Sequence, residues 1–300
     1  MDFIKDADQF LSHLELGKKS EYSKTYNPEL LQSIPRNINR SKLNLSVGLP
    51  FSGFDIWTFY ELSFLNSKGL PVACVGEVSI PCESANLIES KSFKLYMNSF
   101  NFSSYTSLSE LKLIIENDIA KALGVSSLKL NFKLFDLSEA DTLPEREFPA
   151  NLLIGRIVTQ SSFINIDKEL SSSIKISKYD YDPDLLKTEQ SDAIVQEDLF
   201  SNLLKSNCLV TGQPDWGSIY IRYKGPKISH ESLLKYIVSF RNHNEFHEMC
   251  VERIFCDIKR TCKPELLTVF ARYTRRGGID INPFRSNFEA EIPVTRTIRQ

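Results

Sequence analysis

The stretch FDIWTFYELSFL, residues 54–65, is rich in aromatic and β-branched side chains, the composition of a strand. The turn NSKGLP separates it from a second such run, Val72 to Ile80, so the two read as a hairpin. Beyond Pro81, KSFKLYMNSF alternates apolar and polar residues as a half-buried strand does. SLSELKLIIENDIAKALG then has helical periodicity, with Ser107 as candidate cap, Glu110 three residues on and Gly124 as the stop. SLKLNFKLFDL returns to period two, so the first half is strands, helix, strand.

Working outward, the second half repeats that scheme. WGSIYIRYKG is strand-like, ESLLKYIVSF and EFHEMCVERIFCDIKRTC are helical in character, and LLTVFARYTRRGGIDINPF reads as a final hairpin. Asp55-Ile-Trp57 against Asp215-Trp216, and Glu89-Ser90 against Glu231-Ser232, give a faint internal echo that suggests duplication of one module. MDFIKDADQFLSHLELGKK is an acidic, helix-forming start, followed by a polar leader whose Asn27-Pro28 and Ile34-Pro35 steps forbid continuous helix. The charged stretch SEADTLPERE and the polar sequence after it mark the boundary between halves. The expected division is a leader at 1–50, one module at 51–150, a linker at 151–195 and a second module at 196–300.

Composition excludes several classes. Hydrophobic residues at 42% and charged residues at 25% belong to a compact globular chain. A net charge of -2, from 36 basic and 38 acidic residues, supplies no field toward a phosphate backbone, so no direct nucleic-acid partner is expected. No apolar run is long enough to span a bilayer and the start is not a signal sequence, which places the chain in the cytoplasm with no membrane partner. The six cysteines are expected as reduced thiols, because a chain this long does not need disulfides.

Cys208 sits in SNCLVTGQPDWG among small and turn-forming residues, a placement that favours partial exposure and nucleophilic use. Asp215 lies behind a Gly-Gln-Pro turn that could fold it back toward the sulfur; equally, the pair reads as a loop cysteine beside a turn aspartate. His247 and Glu248 fall in HNEFHEMCVERIF, where adjacent helix positions serve different partners. A buried carboxylate there can grip the N–H edge of a guanine-like base and a histidine can transfer protons; the plain alternative is an exposed helix start with ordinary ion pairs. His243, His247 and Cys250 on one helical face would form a zinc site. Cys250, Cys256 and Cys262, six apart, drift round a helix and read as packing residues.

Glu89, Ser90, Lys91 and Ser92 open the KSFKLYMNSF strand with a carboxylate, two hydroxyls and an ammonium, either a base-and-phosphate grip or an exposed strand edge. Arg275, Arg276, Gly277 and Gly278 join two cations to a flexible turn that suits a cofactor phosphate or a simple hairpin loop. No G-x-G-x-x-G follows a strand, which excludes a Rossmann dinucleotide site.

Taken together, LGKKSEYSKTYNPELLQSIPR, GFDIWTFYELSFLN, CESANLIESKSFKLYMNSFN, CLVTGQPDWGSIYIRY, NEFHEMCVERIF and YTRRGGIDINPFRS resemble the QueF family, the NADPH-dependent 7-cyano-7-deazaguanine reductases of queuosine biosynthesis, in its two-module form. The resemblance implies an α+β fold of tandem tunnelling-fold modules, antiparallel sheets with helices on one face, in a homodimer assembled around a central barrel. It implies NADPH as cofactor, a small-molecule deazapurine as substrate and no metal. Cys208 is then the nucleophile that forms a thioimide, and Asp215 the proton donor with His247. Ile88, Glu89, Ser90, His247 and Glu248 would bind the base; Ser90, Lys91, Arg276 and Gly277 would bind the cofactor. Gly212 departs from the family pattern, with no consequence legible in the sequence. Two other readings stay open: a zinc-dependent cyclohydrolase or pterin-type enzyme, and a non-catalytic purine-binding protein.

Overall fold

The computed structural model describes residues 22–45, 48–137, 163–170, 174–190, 193–290, 297 and 299–300. The expected N-terminal helix and the stretch SEADTLPERE lie outside them. The first half contributes β1 (Ser33–Pro35), α1 (Asn37–Arg40), β2 (Ser52–Leu65), β3 (Pro71–Pro81), β4 (Asn86–Ile88), α2 (Ser90–Asn98), α3 (Leu108–Leu123) and β5 (Asn131–Asp136). The second contributes β6 (Ile164–Asn165), α4 (Ile166–Leu170), β7 (Ile194–Asn207), β8 (Pro214–Pro226), α5 (His230–Ser239), α6 (His247–Cys262), β9 (Leu266–Tyr273) and β10 (Ile279–Ser286).

Eight strands form one sheet in the order β5-β3-β2-β10-β9-β8-β7-β6. Its pairings are antiparallel except β6 with β7. The halves join where β10 pairs with β2, from Ile279 opposite Phe59 to Ser286 opposite Ser52. Helices pack on one face. One apolar cluster sets Phe93, Tyr96, Leu111, Ile115 and Ile119 of α2 and α3 against Trp57, Phe59 and Val78. A second sets Leu233, Ile237, Ile254, Phe255 and Ile258 of α5 and α6 against Leu199, Ile219 and Val269. Each such side chain, fully buried, contributes about 1.5–3 kcal/mol over leaving it in water. Phe200, Tyr220, Phe270 and Phe284 cluster on the other face without a helix residue among them. The α+β class read from the sequence is the one observed.

The hairpin of β2 and β3, the capped helix α3 and the final hairpin stand where the sequence predicts them. Ser107 Oγ accepts from the Glu110 N–H, and Gly124 ends α3 in the left-handed conformation at φ 69°. KSFKLYMNSF is not a strand but α2. Its alternation is real, yet Phe93, Tyr96 and Met97 stand three and four apart and all are buried. Glu89 caps the helix: its carboxylate accepts from the N–H groups of Lys91 (2.8 Å) and Ser92 (2.7 Å). β7 carries too many charges to be legible as a strand; Glu197 and Asp198 are engaged by Tyr223 and Arg222 of β8.

Both halves repeat one packing device. Tyr26 and Tyr96 donate to Asp118 at 2.6 and 2.7 Å. Tyr181 and Tyr236 donate to Asp257 at the same two distances. Asn27 caps a short 3-10 turn beside the first trio and Asp182 does so beside the second. Ser92 and Ser232 sit at matching places, each accepting from the chain that wraps its helix, at Gln32 and Lys187. Ser92 thus matches Ser232, which aligns Glu89 with Ser229 rather than with Glu231. Asp55 lies within the first strand of its hairpin and Asp215 at the start of the second, so that echo was coincidental. Two-residue matches are too short to fix an alignment, whereas the tyrosine-aspartate trios fix it by contact.

Candidate functional site

A narrow cleft, with about 350 Å³ of empty space that includes its opening to solvent, lies on the helical side of the β2–β10 junction. Cys208 lines it from the β7–β8 connection, Asp215 from the start of β8, His247 and Glu248 from the start of α6, and Arg276 from the β9–β10 turn. The first half supplies Trp57 of β2, Leu87 and Ile88 of β4 and Ser90 of α2. Seven of the sequence candidates therefore share the wall: Ile88, Ser90, Cys208, Asp215, His247, Glu248 and Arg276.

The Cys208 loop is pinned at both ends. Asn207 donates its N–H to the His243 carbonyl (2.8 Å) and accepts from the Glu245 N–H (3.0 Å), which ties the loop to the segment leading into α6. Within the loop, Cys208 donates to Gln213 at 2.8 Å and Gly212 donates back to Cys208 at 3.0 Å. Gly212 makes that closure in the left-handed region at φ 67°, the structural role the sequence left unassigned. Cys208 is 3% exposed, so the expected partial exposure is corrected: turn-forming neighbours kept the backbone on the surface while the side chain turned into the cleft.

Asp215 is buried, and its carboxyl is raised to about 6 by that burial, with Arg276 and Lys205 pulling the other way. Arg276 Nη1 lies 2.9 Å from Asp215 Oδ1 as an ion pair whose alignment falls short of a hydrogen bond. His247 Nε2 is 3.8 Å from the same oxygen, and its ring stands edge-on to Tyr273 with centroids 4.0 Å apart. Burial first, and Arg276 second, hold His247 down at about 3, so it is a neutral imidazole at physiological pH. Glu248 is likewise buried and pushed up to about 8 by desolvation, with Asp55 adding to the shift.

Three candidates fall elsewhere. Glu89 is fully buried, with both carboxylate oxygens engaged by the first turn of α2, a burial that raises its carboxyl. Lys91 lies beyond the cleft wall, one residue past Ser90. Gly277 is left-handed at φ 62°, where a Cβ would stand 3.3 Å from Lys94 Cδ. The zinc constellation does not assemble, because α6 begins at His247 and leaves His243 in the preceding turn, bonded to Glu245. No group of three metal-ligating residues is gathered among the described residues. Burial pushes the thiols of Cys250 and Cys256 up to about 12 and Cys262 to about 11, as packing residues require.

Sequence reasoning missed Trp57 and Glu245 as wall residues. Period two in β2 puts Trp57 on the same face as Asp55, a signal present but without meaning until α6 and β10 close over it. Glu245 is gripped by both nitrogens of Arg253 at 2.8 and 2.7 Å. Among the described residues no helix is long and apolar enough to cross a membrane.

Fold and cleft define a class: an α+β protein whose halves share a buried site joining a thiol, an imidazole and two carboxyls whose burial raises them. Residues 22–130 match the family described as nitrile reductase, 7-cyano-7-deazaguanine-reductase N-term, and residues 214–291 match QueF-like protein. A relative from Colwellia psychrerythraea, the NADPH-dependent 7-cyano-7-deazaguanine reductase, is 48% identical over 294 residues, covering 97% of each chain. The apo crystal structure of the archaeosine synthase QueF-Like matches at 15% identity and TM-score 0.29, over 34% of this chain and 100% of that one. The chain belongs to the QueF family.

Proposed function

We propose that this protein reduces the nitrile of 7-cyano-7-deazaguanine to the aminomethyl group with NADPH, through a thioimide on Cys208, in the pathway that makes queuosine. The observation that carries the reading is that Cys208, Asp215, His247 and Glu248 line one cleft, in a chain 48% identical to a reductase of that name.

Glu248, in its ionised form an acceptor-only carboxylate, receives the paired N–H donors of the base and fixes the nitrile against the thiol. The Cys208 thiolate adds to the nitrile carbon, the C–S bond forms, and one C–N bonding pair moves to nitrogen. Asp215 gives that nitrogen its proton. A carboxyl raised to about 6 can hold and release a proton near neutrality, whereas His247 at about 3 carries none to give and serves as a hydrogen-bonding wall. NADPH would supply two hydrides in succession, the four electrons that separate nitrile from amine, and Asp215, reprotonated between them, would supply the second of the two protons the amine needs. Between the hydrides the C–S bond breaks, the thiolate departs and the imine stays enclosed by the cleft, away from water.

Ser90 and Arg276 fit the cofactor, since a hydroxyl and a guanidinium meet at the cleft and Arg276 Nη1 has no aligned hydrogen bond of its own. Lys91 and Gly277 extend that edge. Glu89 supports base binding by capping α2, which fixes Ser90 in its first turn next to Ile88 at the end of β4. The chain reads as modules at 51–150 and 196–300 after a leader at 1–50. Residues 163–190 within the linker span 151–195 count with the second module, because Asp167 bonds Ser201 and Tyr181 bonds Asp257. The reading also carries a homodimer without direct nucleic-acid contact, and a reducing cytoplasm consistent with the six free cysteines.

The test is NADPH oxidation with the cyano base, expected at two cofactors per nitrile, with intact-mass detection of a Cys208 adduct when NADPH is withheld. Cys208→Ala should bind the base within a few-fold and show no adduct. An adduct in that variant, or no NADPH oxidation by the wild-type protein, overturns the assignment.

A further inference from the structure

The cleft wall carries a donor that no protein group satisfies. Trp57 is 1% exposed, lines the cleft beside Ile88 and Ile281, and is held edge-on against Phe93 with ring centroids 5.3 Å apart. Its indole N–H has no hydrogen-bond partner in the protein. Buried donors are paired in the great majority of cases, so an orphan on a cavity wall marks the place of a ligand acceptor. Its place along the cleft follows from β2. Asp55, two residues earlier on the same face, lies near enough to Glu248 to raise that carboxyl, and consecutive same-face residues of a strand are about 6.6 Å apart. Trp57 and Glu248 line the same narrow cleft.

We infer that Trp57 is a substrate-positioning residue whose indole N–H donates to the ring carbonyl oxygen of the bound base, an inference that rests on the deazaguanine reading above. A guanine-type edge presents an amino group, a ring N–H and a carbonyl in a row. Glu248, ionised as the base binds, offers only acceptors and takes the two donors, which leaves the carbonyl needing a donor on the adjoining wall. Trp57 can only donate. The pair thus reads the edge in both polarities, and a base bearing an amino group where the carbonyl stands would set donor against donor and be rejected.

The experiment uses 7-deazaguanine, which has this edge and no nitrile and so binds without a covalent step, beside its 6-thioxo analogue, which keeps both donors but accepts poorly. Titration calorimetry on the wild-type protein should show the oxo base binding about tenfold tighter than the thioxo base, the worth of one hydrogen bond to a buried donor. Trp57→Phe, which keeps the ring packing, should weaken the oxo base and bring the two within about twofold. A variant-free readout runs alongside. The chain has two tryptophans, and the Trp57 indole proton, assigned with Trp216→Phe, should shift downfield with the oxo base and little with the thioxo base. Equal affinities of wild-type and Trp57→Phe protein for the oxo base, a loss common to both bases, or an unmoved indole proton overturns the inference while base recognition stands. Failure of the wild-type protein to bind either base overturns the reading of the site, and this inference with it.

Discussion

Glu248 is a carboxyl placed where ionisation is disfavoured. Desolvation raises it first, the negative Asp55 adds to this, and Arg36 and Arg285 oppose them, leaving it at about 8. Because that value lies above the ordinary carboxyl range, the group favours the folded state at low pH and the benefit is lost as the pH rises through about 8. Base binding runs the other way, since the N–H pair of the base needs the ionised form. Affinity for 7-deazaguanine should rise by up to about tenfold per pH unit below 8 and level off above it. Glu248→Gln should bind more weakly and without that slope; a flat wild-type profile by calorimetry would remove the ionised carboxylate from recognition. The residue types of this site were legible in the sequence. Their ionisation was not, because burial decides it.

At the scale of elements, local signals worked where one side chain closes its own turn. Ser107, Glu110 and Gly124 bound α3 because caps act within four residues. They failed at α2, where alternation and helical spacing coexist in one short stretch and the buried face selects the helix. The Cys208 loop is the functional counterpart. Gly212 adopts φ 67° with nothing within 4 Å of where a Cβ would stand, so backbone strain alone resists substitution. Gly212→Ala should cost about 1–2 kcal/mol. Thermal unfolding should show this as a fall of roughly 2–4 °C per kcal/mol, with Gly212→Asn milder. An unchanged midpoint for Gly212→Ala would mean the loop closes another way.

Across the whole molecule, one buried charge cluster binds four separate segments beside the cleft. Glu252 of α6 accepts from Arg40 at 2.9 and 2.7 Å and from Arg285 of β10 at 3.1 and 2.8 Å. Asp55 of β2 pairs with Arg36 at 2.6 Å and with Arg285 at 2.8 Å. Arg36, Asp55, Glu252 and Arg285 are essentially inaccessible to water, and although burial opposes their ionisation, Arg285 and Arg36 keep Asp55 below the usual carboxylate range. Removing one member strands the others. Glu252→Ala should lower unfolding stability by about 3–5 kcal/mol in a urea titration, far more than a surface ion pair would. A loss below about 1 kcal/mol would show that the cluster relaxes into water.

The sequence by itself determined the β2–β3 hairpin, the α3 boundaries, the final hairpin and the short list of reactive residues, because each depends on neighbours along the chain. Only the tertiary structure decided that Cys208 faces inward, that Glu89 spends its carboxylate on a helix cap, that His243 stands apart from α6, and that Trp57 borders the site. Apart from the Glu89 cap, which is local but needs the buried face of α2 to form, those outcomes depend on contacts between residues more than two hundred positions apart, where β2 pairs with β10. Position in sequence carries no trace of the desolvation that such pairing imposes.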